Sequence, residues 1–239
     1  MATPESSQSG LASSMTDLMT SLAVIFILLL VATLNNVQQE GRQTRDNILL
    51  KLQERLSKEL AEYKEQGFEL TNDPKDPLGL ILVVPEGLLN FAVNRADIPQ
   101  PGVTFLQRVA PKLADTVCSP EFRPEMNSIV VEGHTDSTGT DETNLPLSQA
   151  RSMAVVGTSL QVLGSSPSGP VSRPCFLDLV SATGRGSVEP LTNDDGTENL
   201  AKSRRVVFKI RVRSLEQKAV SQTIVVAAQG ATEDHELTK

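Results

Sequence analysis

The hydrophobic pattern changes character several times along the chain, and each change predicts a different element. From Leu18 to Leu34 the run LMTSLAVIFILLLVATL carries no charge. As a helix it would span roughly 25 Å, close to the hydrocarbon thickness of a bilayer. A transmembrane helix is therefore expected over 17–36. A cleaved signal peptide would call for Lys or Arg ahead of the apolar run, whereas this N-terminus has none and Asp17 stands at the run's edge. No Cys follows closely enough for a lipid anchor. Ahead of the run, residues 1–16 are rich in Ser, Thr, Gly and Pro with Glu5 as the single charge, which predicts a disordered tail.

Between Gln43 and Gln66 the pattern becomes periodic. Leu49, Leu52, Leu56, Leu60 and Tyr63 recur at three- and four-residue steps among Lys, Glu and Arg, an amphipathic helical stripe that needs a partner. A second copy in a parallel dimer, a plug lying on the membrane and packing on the following domain all remain open. Thr71 to Pro77 reads as linker, so 37–77 is expected to be an amphipathic helical linker. After it, β-type and helical patterns alternate. Leu80–Val84 and Ser128–Val131 read as strands, Val103–Val117 and Ser148–Leu163 as helices, and Phe176–Val180 and Val206–Val212 as two further strands. The order β-α-β-α-β-β predicts an α/β fold, an α+β sandwich with helices on one sheet face, over 78–214. The tail 215–239 is polar apart from Thr223–Ala228.

Composition narrows the function. A formal net charge of -7 with scattered Lys and Arg provides no field to collect a polyanion, and 3% aromatics without Trp leaves little for base stacking, so no nucleic-acid partner is expected. Two His and two Cys far apart give no zinc-like spacing, and neither a metal nor another cofactor is expected.

The strand at Ser128 runs into Glu132-Gly133-His134-Thr135-Asp136-Ser137-Thr138-Gly139, followed by Asn144, Leu147, Ser148, Arg151 and Ala154. Downstream lie Gly184, Gly186 and Pro190, and then Ser203-Arg204-Arg205-Val206. From about Leu80 to Arg213 this resembles the OmpA-like peptidoglycan-binding domain. The resemblance implies that Asp136 takes the amino group and Arg151 the carboxylate of a diaminopimelate stem peptide, with Asn144 and Leu147 shaping the pocket and Arg204 as a second anion contact. The chemistry agrees: a zwitterion with ammonium and carboxylate on one carbon needs a fixed anion and a bidentate cation facing one cleft. Composition alone would allow Asp136 to cap its loop and Arg151 to be a surface residue. Ser203 departs from the family's Asn, a shorter side chain at the rim of the site. His134, beside an Asp and a Ser, has neither a nucleophile elbow nor a metal partner in the pattern and is read as loop support, so no enzyme is expected.

The span itself begins Met15-Thr16-Asp17-Leu18-Met19-Thr20-Ser21, a carboxylate at the membrane edge with two hydroxyls one turn on along the same face. Joined to a peptidoglycan grip, this resembles the MotB class of stator subunits, and within it the ZorB type of Zorya anti-phage complexes, since the flagellar type has basic and aromatic residues near its Asp. The resemblance implies ion translocation through Asp17 with Thr20 and Ser21, a homodimer inside a pentameric MotA-like polytopic partner, and an inner-membrane protein with a cytoplasmic N-terminus and a periplasmic domain. Proton and sodium both remain open as the ion. So do a flagellar stator, a tether without an ion path, and Asp17 as a mere helix cap. Arg42, Arg45 and Lys51 after the span would by charge bias keep the domain in the cytoplasm, but long domains translocate largely regardless of flanking charge. Finally, Cys118 precedes the strand at Ser128 and Cys175 opens the run at Phe176. If those two strands are parallel neighbours, the cysteines meet at one end of the sheet, and a disulfide is expected.

Overall fold

The structure, a computed structural model, describes residues 6–89, 91–92, 94–214 and 217, and divides into two units, 1–44 and 45–239. Helix α1 (Ser6–Glu59) begins inside the segment expected to lack order, and runs through Gly10 into the apolar run. Within it Leu18–Asn36 is long and apolar enough to cross a membrane, and its side chains, Leu22, Phe26 and Leu29 among them, are exposed.

In the second unit the amphipathic stripe settles its own partner. Leu49, Leu52, Leu56 and Leu60 of α1, with Tyr63 in the 3-10 turn Ala61–Gln66, are buried in one core with the residues that follow. Tyr63 meets the Phe105 ring edge-on at 5.1 Å between centroids, and Lys112 donates to the Glu59 carbonyl (2.8 Å) and pairs with Glu62 (2.7 Å). Of the three partners left open for the stripe, packing on the following domain is the one the structure shows, from Leu49 onward. Gly67, at φ +84°, ends the turn in a conformation that glycine adopts without strain. Strand β1 (Glu69–Asn72) follows, and the stretch read as linker at Thr71–Pro77 is a hairpin turn. There the Asp73 and Asp76 carboxylates accept from the Lys75 and Leu78 N–H groups.

The chain continues through β2 (Gly79–Pro85), α2 (Glu86–Leu89), α3 (Gln100–Val117), β3 (Met126–His134), α4 (Asp141–Gly164), α5 (Gly169–Leu179), β4 (Val180–Gly184), α6 (Leu200–Ser203) and β5 (Arg205–Val212). The sheet order is β1-β2-β5-β3-β4, antiparallel except for the β3–β4 pair. Register aligns Leu82, Phe208 and Val131 in one row and Leu80, Ile210 and Ile129 in the next, all buried. Leu106 and Leu113 of α3, Val155 and Leu163 of α4 and Phe176 of α5 join them in the core. The alternate positions Ile81, Lys209 and Arg211 are half-buried, as a sheet with a single packed face requires.

Two expectations change. Phe176–Val180 is not a strand: Ser172, Phe176 and Leu179 are buried at helical steps of four and three, and the strand starts only at Val180. An apolar run of five residues cannot separate the two periods. Cys118 and Cys175 are disulfide-bonded with Cα atoms 6.1 Å apart, but the bond ties the end of α3 to α5 and not two strand ends.

Candidate functional site

Three segments converge at the end of β3. The strand delivers Thr135 and Asp136 into the following loop. The first turns of α4 present Asn144, Leu147 and Arg151 at steps of three and four on one face, and Arg204 lies between α6 and β5. These residues line a cleft of about 470 Å³, joined by Phe91, Asn94, Thr138 and Leu200. All five residues singled out for ligand binding by sequence thus share one cavity. Helix α4 is held in place from below. Ser148 Oγ accepts from Gly186 N–H (2.9 Å), and Gln149 Oε1 accepts from Gly184 N–H (2.6 Å).

Asp136 is almost buried and fixed on both oxygens. Oδ1 accepts from Thr138 N–H at 3.0 Å and Oδ2 from the Arg204 guanidinium at 2.7 Å. Burial pushes its carboxyl up, but Arg204 and the Thr138 N–H outweigh that, so the group sits below its ordinary value and is ionised at neutral pH. Arg204 was expected as a second contact for an anion; in this structure it is the ion-pair partner of Asp136. Asn144 Nδ2 donates to the carbonyls of Asp136 (3.3 Å) and Thr138 (3.1 Å), which fixes the loop above the helix.

Arg151 is 5% exposed. Its Nε donates to the Arg95 carbonyl (3.1 Å), a second nitrogen lies 3.4 Å from the Ala92 carbonyl, and its guanidinium carbon stands 4.9 Å from the Phe91 ring centroid. The Phe91 ring and the two main-chain carbonyls orient the cation toward the cleft. A cleft with a fixed carboxylate on one wall and a held guanidinium on another can take a small zwitterion.

The rim contains residues that spacing could not indicate. Glu198 accepts from the Ser137 N–H (3.1 Å) and hydroxyl, and this Ser137 contact holds its carboxyl below the ordinary range. Phe91, Asn94, Leu200 and Glu198 lie on segments remote in sequence from the motif, and nothing in local pattern flags them. Ser203, the departure from the family pattern, is fully buried and accepts from Leu191 N–H (3.0 Å), so it pins a neighbouring loop, and its hydroxyl also helps to hold the Glu198 carboxyl down.

His134 points away from any such chemistry. It is 2% exposed, and burial drives its pKa down despite the Glu132 carboxylate 3.8 Å from Nε2. Glu132, His134 and Glu189 bring ligand-type atoms within 4.8 Å of one another. Their carboxylates are already matched by cations: Lys209 lies 2.8 Å from Glu132, and Lys75 and Arg185 lie 2.7 and 2.9 Å from Glu189. That donor set is built as an ion-pair network and poorly suited to a divalent ion. At the other end of the chain, Thr20 and Ser21 are exposed on α1, while the side chain of Asp17 lies outside the described residues.

Residues 90–204 match the model of the OmpA family, so this part of the chain is an OmpA-like domain. The peptidoglycan-binding protein ArfA of Mycobacterium tuberculosis is 30% identical over 126 residues, covering 53% of this chain and 33% of that protein. The Zorya protein ZorB of Escherichia coli is 30% identical over 145 residues, covering 58% of this chain and 56% of that protein. The chain thus spans about a third to about half the length of these relatives. The periplasmic domain of Helicobacter pylori MotB is similar with a TM-score of 0.46 at 23% identity, over 66% of this chain and 90% of that one. The chain carries an OmpA-like domain behind one apolar helix and resembles ZorB.

Proposed function

We propose that this protein is a peptidoglycan-anchored stator subunit of an ion-driven membrane motor, acting in anti-phage defence as a ZorB-like component. The observation that carries the anchoring half is the cleft in which Asp136, locked by Arg204, faces a space shared with Arg151. Diaminopimelate enters with its ammonium toward Asp136, which has lone pairs beyond those used by Thr138 and Arg204, and its carboxylate toward Arg151. Phe91 and Leu147 supply the apolar wall for the methylene chain. Binding is recognition without bond cleavage.

The motor half rests on the coupling of that grip to a helix that crosses the inner membrane once, with the N-terminus cytoplasmic and the OmpA-like domain periplasmic. A carboxylate at the edge of hydrocarbon has its charged form disfavoured and can cycle its proton, or a sodium ion held with Thr20 and Ser21. Two copies act within a pentameric polytopic partner, and the cell wall supplies the fixed point. Likeness to ZorB supports the defensive motor over a flagellar one.

The experiment is retention on purified sacculi together with recovery of the polytopic partner from detergent-solubilised membranes. The intact protein should sediment with sacculi and copurify with the partner. Arg151→Ala should lower sacculus affinity by about 2 to 4 kcal/mol without unfolding the domain, as expected for loss of a charge-assisted bidentate contact. Unchanged retention of a folded Asp136→Ala, Arg151→Ala double variant would move the ligand elsewhere. Recovery of this chain alone would leave a tether.

A further inference from the structure

Arg151 is aimed by a short segment far from it in sequence. Its two carbonyl partners, Ala92 and Arg95, are the two ends of one turn, closed by the Arg95 N–H donating to the Ala92 carbonyl at 3.0 Å. The Ala92 carbonyl therefore serves both the turn and the guanidinium. Phe91, whose ring stands against the same guanidinium, immediately precedes the turn and is buried.

The segment is held on either side of this turn. Ahead of it, α2 approaches α3 so closely that a β-carbon on Gly102 would lie 2.5 Å from the Leu89 carbonyl oxygen, and beyond it Ile98 packs against the same glycine, 2.6 Å from that β-carbon position. The Arg95 side chain is turned aside to Asp97, at 2.6 Å, while its carbonyl faces Arg151. With both flanks fixed, the direction of the two carbonyls is set inside the turn. There Asn94 has φ +55°, and among the described residues it is the one side-chain-bearing residue with a positive φ. At the third position of a turn that conformation falls to Gly or Asn, because other side chains bring the β-carbon against a carbonyl oxygen.

We infer that Asn94 is the positioning residue for Arg151: by holding the turn in its left-handed conformation it keeps the Ala92 and Arg95 carbonyls on the guanidinium, and so sets the angle at which the cation meets a ligand carboxylate. The inference rests on the ligand site proposed above. Asn94 also lines the cleft, so a direct contact between its amide and the ligand is the competing role.

The test compares Asn94→Gly with Asn94→Ala in the full-length protein in detergent. Both remove the amide, but glycine takes a positive φ freely, whereas alanine disfavours it by roughly five- to thirtyfold. Calorimetric titration with a soluble stem tripeptide ending in diaminopimelate should give Asn94→Gly an affinity at least about fivefold above that of Asn94→Ala. Equal weakening in both variants would assign the amide a ligand contact, and parent affinity in both would leave the turn without a role; either result overturns the inference. A second readout needs no ligand. The Arg151 Nε–H, which donates to the Arg95 carbonyl, is followed by NMR, its resonance identified by its loss in Arg151→Lys. In Asn94→Ala it should shift and exchange with water several times faster than in the parent, and in Asn94→Gly it should stay close to the parent. An unmoved Nε–H in Asn94→Ala would overturn the inference by itself. Should the parent fail to bind the tripeptide while the Nε–H responds as expected, the proposed ligand falls and the positioning of Arg151 stands.

Discussion

Gly133 and Gly184 are partners in the parallel register of β3 and β4, and together they form the seat on which α4 rests. A β-carbon on Gly133 would lie 2.1 Å from the Ser148 carbonyl oxygen, and one on Gly184 would lie 2.5 Å from the Gln149 nitrogen. Both obstacles are main chain and cannot rotate away. Gly133→Ala must therefore lift α4, and with it Asn144 and Arg151, away from Asp136. Overpacking of this kind costs about 1–3 kcal/mol. Denaturant unfolding should show that loss, and sacculus retention should fall further than stability alone dictates. Gly157→Ala is the control, since its added methyl meets nothing within 4 Å in mid-helix and should be neutral or mildly stabilising. Equal behaviour of the two variants would dismiss the seat.

Acid should expose the ion-pair network on the other face of the sheet. Lys75 first, and Arg185 with it, hold the Glu189 carboxyl at about 2, against an ordinary 4.5. A lowered folded pKa means that the stability it contributes is present above about 4.5 and is lost as pH falls toward 2. Lys75→Ala removes the largest cause, so the variant should be less stable at pH 7 and show a shallower loss across that window. Lys75 is largely exposed, which limits the difference to about 1 kcal/mol or less. Urea midpoints measured from pH 7 to pH 2 would reveal it, and parallel curves for the two proteins would contradict the assignment.

How much of this was legible in sequence depended on whether the signal was local. The strands at Leu80, Ser128 and Val206 and the helices at Val103 and Ser148 follow from periodicity, because one buried face imposes a regular step. Asp136, Asn144, Leu147 and Arg151 come from one strand-loop-helix unit, where spacing and geometry are coupled. What escaped was non-local. The α1 stripe shows that a partner exists but not that Phe105 and Lys112 provide it. Four polar-flanked residues, Glu69 to Asn72, carry too little pattern to announce an edge strand. The Asp136–Arg204 pair also joins segments that no local rule connects.

The disulfide was anticipated by an argument whose geometry differs from the structure, and its energetic consequence can be measured independently. Cys118 and Cys175 are 57 residues apart in sequence and hold α5 to the end of α3. Closing a loop of that length stabilises by at most about 4 kcal/mol on the chain-entropy model. The Cys118→Ser, Cys175→Ser pair should therefore unfold at clearly lower denaturant, and mass spectrometry after alkylation without reductant should find no free thiol in the parent. Two alkylated cysteines in the parent would remove the bond and its contribution together.

The decisive substitution for the motor is Asp17→Asn, because it keeps size and hydrogen-bonding capacity while deleting the titratable group at the start of the span. Helix α1 is continuous through this position, and Thr20 and Ser21 follow at three- and four-residue steps, so the backbone frame does not depend on the charge. If Asp17 carries the ion, the variant should assemble with its polytopic partner and bind sacculi normally. Ion-driven function, read as protection against phage in a complementation assay, should nevertheless be abolished. Asp17→Glu should retain part of it, since a carboxyl that can still cycle its charge is present, only displaced. Asp17 stands in the interior of α1, which begins at Ser6, so it does not cap this helix as the sequence left open. A tether without an ion path predicts near-normal function for both variants. Wild-type protection by Asp17→Asn, with the complex intact, would strip the protein of its ion path and leave it an anchor between membrane and wall.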